Sequence, residues 1–252
     1  MIPSEAQQAA LDRLEHIGGT PVVLQANEQL SNQARISLAS STQPAHVLSY
    51  HPAFVHELPY LVCFQCVMAE RTLKAAADER FNVASTPDTY QRVQKLVREK
   101  GVIPQDMVTT YTQMVTDGLG TQLRSMPIGI RVDRVIHASH PELHEMQRTI
   151  AEKQLTEAAG CLHPNVKAMA PDLLFKASVA MNAALALAWS RLWGDDRHVI
   201  PYRLSGHVGV GEKLLEQLDT IPDAPTHDRE LVTAWATLLG VEDLYRIGPV
   251  GL

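Results

Sequence analysis

The spacing of hydrophobic and polar positions changes period several times along the chain. Ser4 stands as an N-cap before an amphipathic stretch over about 5–16, closed by Gly18-Gly19, which predicts a first helix. Three short β-type stretches follow, 22–24 (VVL), 34–39 (ARISLA) and 46–50 (HVLSY), parted by the turn-prone NEQLSN and SSTQP. They predict a small sheet connected as a meander. From Pro59 the period turns helical, and proline suits the first turn of a helix. Residues 59–76 (PYLVCFQCVMAERTLKAA) are apolar nearly all round, with Arg71 and Lys74 at the exit, so this helix is expected to run through the core. Helical stretches are then expected at about 87–99, 104–124, 128–138, 141–160, 171–193, 209–219 and 227–239. Most have a proline near the start (Pro87, Pro104, Pro141, Pro171), and several end on a glycine (Gly101, Gly194, Gly240). The expected fold is α+β: a small N-terminal β-sheet packed on a buried central helix, followed by a mostly α-helical remainder. Residues 1–252 are read as a single domain, 1–80 holding the sheet and central helix and 81–252 the helical part.

Composition narrows the function classes. With 22 Lys+Arg against 28 Asp+Glu the net charge is −6, which argues against a protein that grips nucleic acid or anionic membrane through its charge. Charged residues at 20% and hydrophobic ones at 45% are ordinary globular values. The most apolar long run, 173–193, is interrupted by Lys176, Ser178, Asn182, Ser190 and Arg191, which suits a buried helix better than a membrane span. The start, MIPSEAQQAALDRLEHIGG, lacks the basic-then-apolar pattern of a signal peptide, and three cysteines make no disulfide framework. A soluble cytoplasmic protein is expected, with no nucleic-acid or membrane partner.

A short sheet whose last strand feeds a buried helix is the layout zincin metallopeptidases use. The run HVLSYHPAFVHELPYLVCFQCVMAERTL resembles a family of bacterial zincin-like proteins, in which a strand and a Leu-Pro-Tyr-Leu-type entrance lead into Ala-His-Glu-Cys-Gly-His. IRVDRVIHASHPELHEMQ, FKASVAMNAALALAWSRLWG and GHVGVGEKLLEQLDTIPDAPTHDRELVTAW are similar as well, so the resemblance covers roughly 45–240. It implies a zincin-like fold whose His-Glu-Cys-Gly-His positions fall on Phe64-Gln65-Cys66-Val67-Met68. Phe64 and Met68 would then stand where two histidines hold zinc, and Gln65 where a glutamate is general base. Phenylalanine has no lone pair for a metal, and a thioether is a soft ligand unsuited to hydrolytic zinc. Glutamine keeps the size of glutamate but takes up no proton. The resemblance thus implies a scaffold that has lost its metal site. The plain alternative is a core helix with no such ancestry.

Other constellations have competing readings. His56-Glu57 begins an HExxH-like run, but Tyr60 occupies the second histidine position and Pro59 makes 56–57 a helix entrance. A rebuilt catalytic site from His56 and Glu57 stands against a Glu57 that merely favours the helix N-terminus. Cys63 and Cys66 form a CxxC inside the helix rather than at its N-terminus, where the dipole would activate a thiol. With Cys161 and His163 they could make a structural zinc site; small buried cysteines filling the core are the alternative. His137, His140 and His144 have one-face helical spacing, but Pro141 breaks the helix and favours a solvated turn, with Ser139 or His140 near the cap. His51, at the end of the last strand, is a further possible member of such a cluster. GHVGVGEK at 206–213 resembles a phosphate loop, yet Glu212 intervenes and Leu214 replaces the hydroxyl residue, so a flexible turn is expected. Arg92, Lys95, Arg98 and Lys100 read as a solvated helix face.

The resulting expectation is a catalytically inactive zincin-like protein, a pseudo-metallopeptidase acting by binding an unidentified protein or small-molecule partner, without a cofactor. The alternatives are a metal-dependent hydrolase with a rebuilt His/Glu site, or a helical protein with zinc on Cys63, Cys66, Cys161 and His163.

Overall fold

A computed structural model describes residues 3–249. In chain order its helices are α1 (Glu5–Gly18), α2 (Leu58–Lys74), α3 (Pro87–Lys100), α4 (Val108–Ser139), α5 (His144–Ala158), α6 (Pro164–Met169), α7 (Asp172–Trp193), α8 (Ile200–Leu204), α9 (Val208–Thr220) and α10 (Asp228–Leu239). The strands are β1 (Val22–Ala26), β2 (Ala34–Ser37), β3 (His46–Tyr50), β4 (Phe81–Ala84) and β5 (Arg246–Pro249). The fold class is α+β. Among the described residues the chain forms two compact units, the first from residues 3–77 and 131–151 and the second from 78–130 and 152–249. The segment 131–151, which the sequence assigned to the helical remainder, thus belongs with the sheet and α2.

In the first unit α1 is closed at its start by a capping box. The Ser4 hydroxyl accepts the Gln7 amide and the Gln7 side chain returns to the Ser4 N–H. Its end is set by Gly19 in the left-handed conformation. The sheet has the order β1-β3-β2, with β1 parallel and β2 antiparallel to β3. A meander would have put β2 in the middle, so that expectation is corrected. The central place goes to the strand with most to bury: His46 and Leu48 of β3 are buried, whereas β1 has no buried residue. A 3₁₀ turn over Pro52–Glu57 leads from β3 into α2, which packs on α1, β2 and β3. Leu58, Tyr60, Leu61, Val62, Cys63, Cys66, Val67 and Ala69 of α2 are buried, as its composition predicted. A buried carboxylate, Glu70, ties α2 to α1 by accepting Arg13 Nε at 2.5 Å, and it also meets Lys74 Nζ at 3.2 Å.

The second unit is built on α7, 83% of whose most apolar stretch is buried, as a core helix requires. α9 lies against α7, and α10 packs on both. The buried Trp235 indole N–H donates to the Leu214 carbonyl at 3.0 Å. β4 and β5 form an antiparallel pair that the sequence reading missed, because each is only four residues long. The two helices expected at 104–124 and 128–138 are one helix, α4, running through Pro127. An interior proline costs about 3 kcal/mol. Burial of Leu119, Leu123, Ile128 and Ile130 on both sides of it is the offsetting gain.

The glycines of GHVGVGEK have structural duties. Gly206 adopts a positive φ of 77° just after α8, and α9 begins at Val208. A Cβ on Gly211 would come within 2.9 Å of both Ala183 Cβ and the Ala184 amide nitrogen, so this glycine lets α9 approach α7 closely. Around Gly209 nothing lies within 4 Å. Gly211→Ala is therefore expected to cost about 1–3 kcal/mol, and Gly209→Ala to be neutral or slightly stabilising. Denaturant melts of the two variants check this, and equal stabilities would remove the close-packing role of Gly211.

Candidate functional site

The best-defined polar constellation lies within the first unit, where α2 meets the end of α4 and the start of α5. Tyr60 is one turn before Phe64, and its buried hydroxyl donates to Asp133 Oδ1 at 2.6 Å. Gln147 Nε2 donates to the Asp133 carbonyl at 2.9 Å and to its Oδ1 at 3.3 Å. The other end of the Gln147 amide, Oε1, lies 3.4 Å from His137 Nδ1. The rings of His137 and His144 stack with centroids 4.0 Å apart, and His144 Nε2 donates to the His137 carbonyl at 2.6 Å. That bond satisfies one of the open carbonyls in the last turn of α4.

Electrostatics follow from burial. Asp133 is buried, and burial pushes its carboxyl up to about 7, although the Tyr60 and Gln147 hydrogen bonds pull the other way. The Tyr60 hydroxyl is held well above its ordinary range by burial and by the neighbouring Asp133. A carboxyl poised near neutrality beside a phenol and an imidazole is a pattern found at functional sites, and equally in buried structural networks.

The sequence-predicted residues are distributed as follows. Phe64, Gln65 and Met68 are all half-buried on α2. Phe64 packs against the Tyr60 ring at 5.9 Å, and Gln65 Nε2 donates to the Ala34 carbonyl of β2 at 3.3 Å. Glu70 is engaged by Arg13 and Lys74, and Glu142 by His140. His56 is exposed while Tyr60 is buried, so the two do not present one metal-binding face. One oxygen of Glu57 is buried with no hydrogen-bond partner among the described residues. His51 Nδ1 accepts the Ala53 amide and its ring stands edge-on to Phe54.

Cys63 and Cys66 are fully buried, and burial pushes their thiols up to about 11 and about 12. Cys63 donates to the Ala6 carbonyl at 3.6 Å. These are the properties of packing cysteines. They belong to the first unit, whereas Cys161 and His163 belong to the second. His163 caps α6 by accepting the Asn165 amide. Among His137, His140 and His144 the helix break falls where Pro141 predicts, with α4 ending at Ser139. No group of three or more His, Cys, Asp or Glu side chains is placed to hold a metal ion among the described residues.

Sequence reading missed Asp133 and Gln147. Both are polar residues at core register: Asp133 is followed by Ile136 at i+3, and Gln147 stands between Leu143 at i−4 and Ile150 at i+3, all buried. A polar side chain on an apolar stripe was the available signal. The chain matches no family model, no curated protein and no solved structure.

The raised Asp133 carboxyl fixes the sign of a pH effect. A folded value of about 7 against an ordinary 3.8 means the folded state keeps the proton while the unfolded state sheds it. The contribution to stability is therefore complete below about pH 4 and is lost as pH rises to about 7. Asparagine accepts the same two hydrogen bonds without a charge. Asp133→Asn is expected to be more stable than wild type at pH 8, by on the order of 4 kcal/mol, and to flatten this slope. Melting curves across pH check it; an Asp133→Asn variant less stable than wild type at pH 8 would refute the assignment.

Proposed function

We propose that the chain is a cytoplasmic zincin-like protein whose metal-binding positions have been refilled, and that it acts by binding a protein or small-molecule partner rather than by hydrolysis. The observation that carries this reading is the use made of the α2 face where the resemblance puts the metal and the base. The Gln65 amide is spent on the Ala34 carbonyl of β2, Phe64 is packed on Tyr60, and Met68 offers only a thioether. These three side chains do not fit a zinc ion: none supplies an imidazole or carboxylate, and none takes a proton from water. The approach of β3 through a 3₁₀ turn into α2 supports the zincin-like part of the reading. No catalytic step is assigned.

The test is metal content of the untagged protein by plasma mass spectrometry, with peptide hydrolysis assayed alongside. Zinc well below one per chain, and no hydrolysis sensitive to a chelator, are expected. About one tightly held zinc per chain would overturn the proposal, blocked thiols then pointing to the cysteine site, and hydrolysis abolished by Glu57→Gln would point to a rebuilt His/Glu site. The triple variant F64H/Q65E/M68H is expected to gain zinc-dependent stability that wild type lacks, about 2.7 kcal/mol at a free zinc concentration a hundredfold above its dissociation constant.

A further inference from the structure

In the second unit the N-terminal part of α4 presents an apolar face that the fold leaves uncovered. Met107, whose carbonyl accepts the Tyr111 amide at 2.9 Å and so joins the helix, is 54% exposed, and Met114 is 61% exposed. Tyr111, between them, is half-buried. Gly118, Thr121 and Ser125 continue the same line, all exposed. Alternating steps of four and three residues keep these positions on one helical stripe. Its first half is large and apolar, and its second half is small. Ser125 Oγ is turned back onto the Thr121 carbonyl at 2.7 Å, so the small half has little polar surface to desolvate. Polar groups at the edges are committed within the unit. Asp117 is turned toward α3, accepting the Tyr90 hydroxyl at 2.6 Å and the Ser85 hydroxyl at 3.2 Å, and Gln122 is bonded to Ser178 and Asn182 of α7. Glycine is unfavourable inside a helix, so an interior glycine calls for a neighbour that needs the room. Gly120 has one, since a Cβ there would come within 2.9 Å of Tyr245 Cε1. Around Gly118 nothing lies within 4 Å of the Cβ position.

We propose that this stripe is the seam of an isologous dimer, in which α4 packs antiparallel on α4 of a second copy of the chain. A two-fold axis at the level of Thr116 places Met107 opposite Ser125, Tyr111 opposite Thr121 and Met114 opposite Gly118 of the second copy, and symmetry supplies the reciprocal contacts. Every large side chain then meets a small one, the condition for two helices to close without voids or clashes. Gly118 is the room that Met114 of the second copy fills. Charge selects the same register. Asp106 stands just before the large end of the stripe and Arg124 at the small end, both exposed. An antiparallel pair brings Asp106 alongside Arg124 of the second copy, whereas a parallel pair would set like beside like. The paired segment is roughly 27 Å long at 1.5 Å per residue. One helix seam of that length buries less than the roughly 800 Å² per partner of a standard interface. The dimer is accordingly micromolar and concentration-dependent.

Sedimentation velocity of the intact protein across the micromolar range is expected to show a monomer–dimer equilibrium. Met114→Glu and Gly118→Gln, at positions open to solvent in the monomer, are expected to raise the dissociation constant by about tenfold or more. Register is read separately by cross-linking, which does not depend on those two variants folding. Met107→Cys and Ser125→Cys chains are prepared singly and oxidised either alone or mixed. A disulfide-linked dimer is expected to be far more abundant in the mixture than in either chain alone, because the two positions meet only across the antiparallel seam. A monomer at every concentration, an affinity unchanged in both Met114→Glu and Gly118→Gln, or no more cross-linking in the mixture than in the single chains would overturn the proposal.

Discussion

A buried helix takes its polar side chains into the interior with it, and each of them has to find a partner there. That constraint organises both units. α2 is too apolar to face water, yet it carries Tyr60 and Glu70 into the core. Tyr60 is answered by Asp133, and Glu70 by Arg13 of α1 with Lys74 beside it. Hydrophobic burial is non-directional and would tolerate several placements of neighbours around α2. The two anchors do not, because each demands one donor–acceptor geometry. α1 and the segment 131–151 are thereby held to opposite ends of one helix, Tyr60 standing in its first turn and Glu70 near its last.

The same constraint leaves the first unit with two buried titratable groups of opposite sense. Asp133 favours the folded state when protonated, as derived above. His46 does the reverse. Its Nδ1 accepts the Ala39 amide at 2.9 Å, so the ring carries its proton on Nε2, and that atom sits where a Cβ on Gly18 would collide with it. Protonating Nδ1 would break the Ala39 bond, and burial lowers the His46 pKa, with Glu15 pulling it partly back. A lowered histidine contributes stability that is complete above about pH 6.5 and is lost as pH falls below it. Below neutrality, therefore, the loss at His46 is countered by the gain at Asp133. The two contributions thus run in opposite directions below neutrality.

How far the sequence foretold this structure depended on whether the signal was local. Ser4, Gly19, Gly101, Gly194 and Gly240 marked helix ends through capping chemistry that involves only neighbouring residues. The apolar character of α2 and α7 foretold their burial, and Pro141 foretold the break at His140. What failed was non-local. Strand order depends on which strand buries most, and the short pair β4 and β5 is joined from opposite ends of the second unit. Pro127 is tolerated only because of packing on both sides of it. For the candidate site, His137 and His144 were noticed together, by helical spacing, and Tyr60 separately, at the second histidine position of an HExxH-like run. Asp133 and Gln147, the groups that join them, carried no motif and were legible only as polar residues in apolar register.

Partner quality separates the two polar networks. Asp133 offers one oxygen to a phenol and an amide, and a carboxyl oxygen has the lone pairs to serve both. Both donors find their acceptor there, and burial is what raises the carboxyl. In the second unit the relay from Ser178 through Gln122 reaches the Asn182 oxygen, whereas the buried Tyr202 hydroxyl has no hydrogen-bond partner among the described residues. A closed network resists change, because any new atom must displace an existing hydrogen bond. That difference is why Asp133 reads as an anchor of the fold and Tyr202 as a side chain held by packing alone.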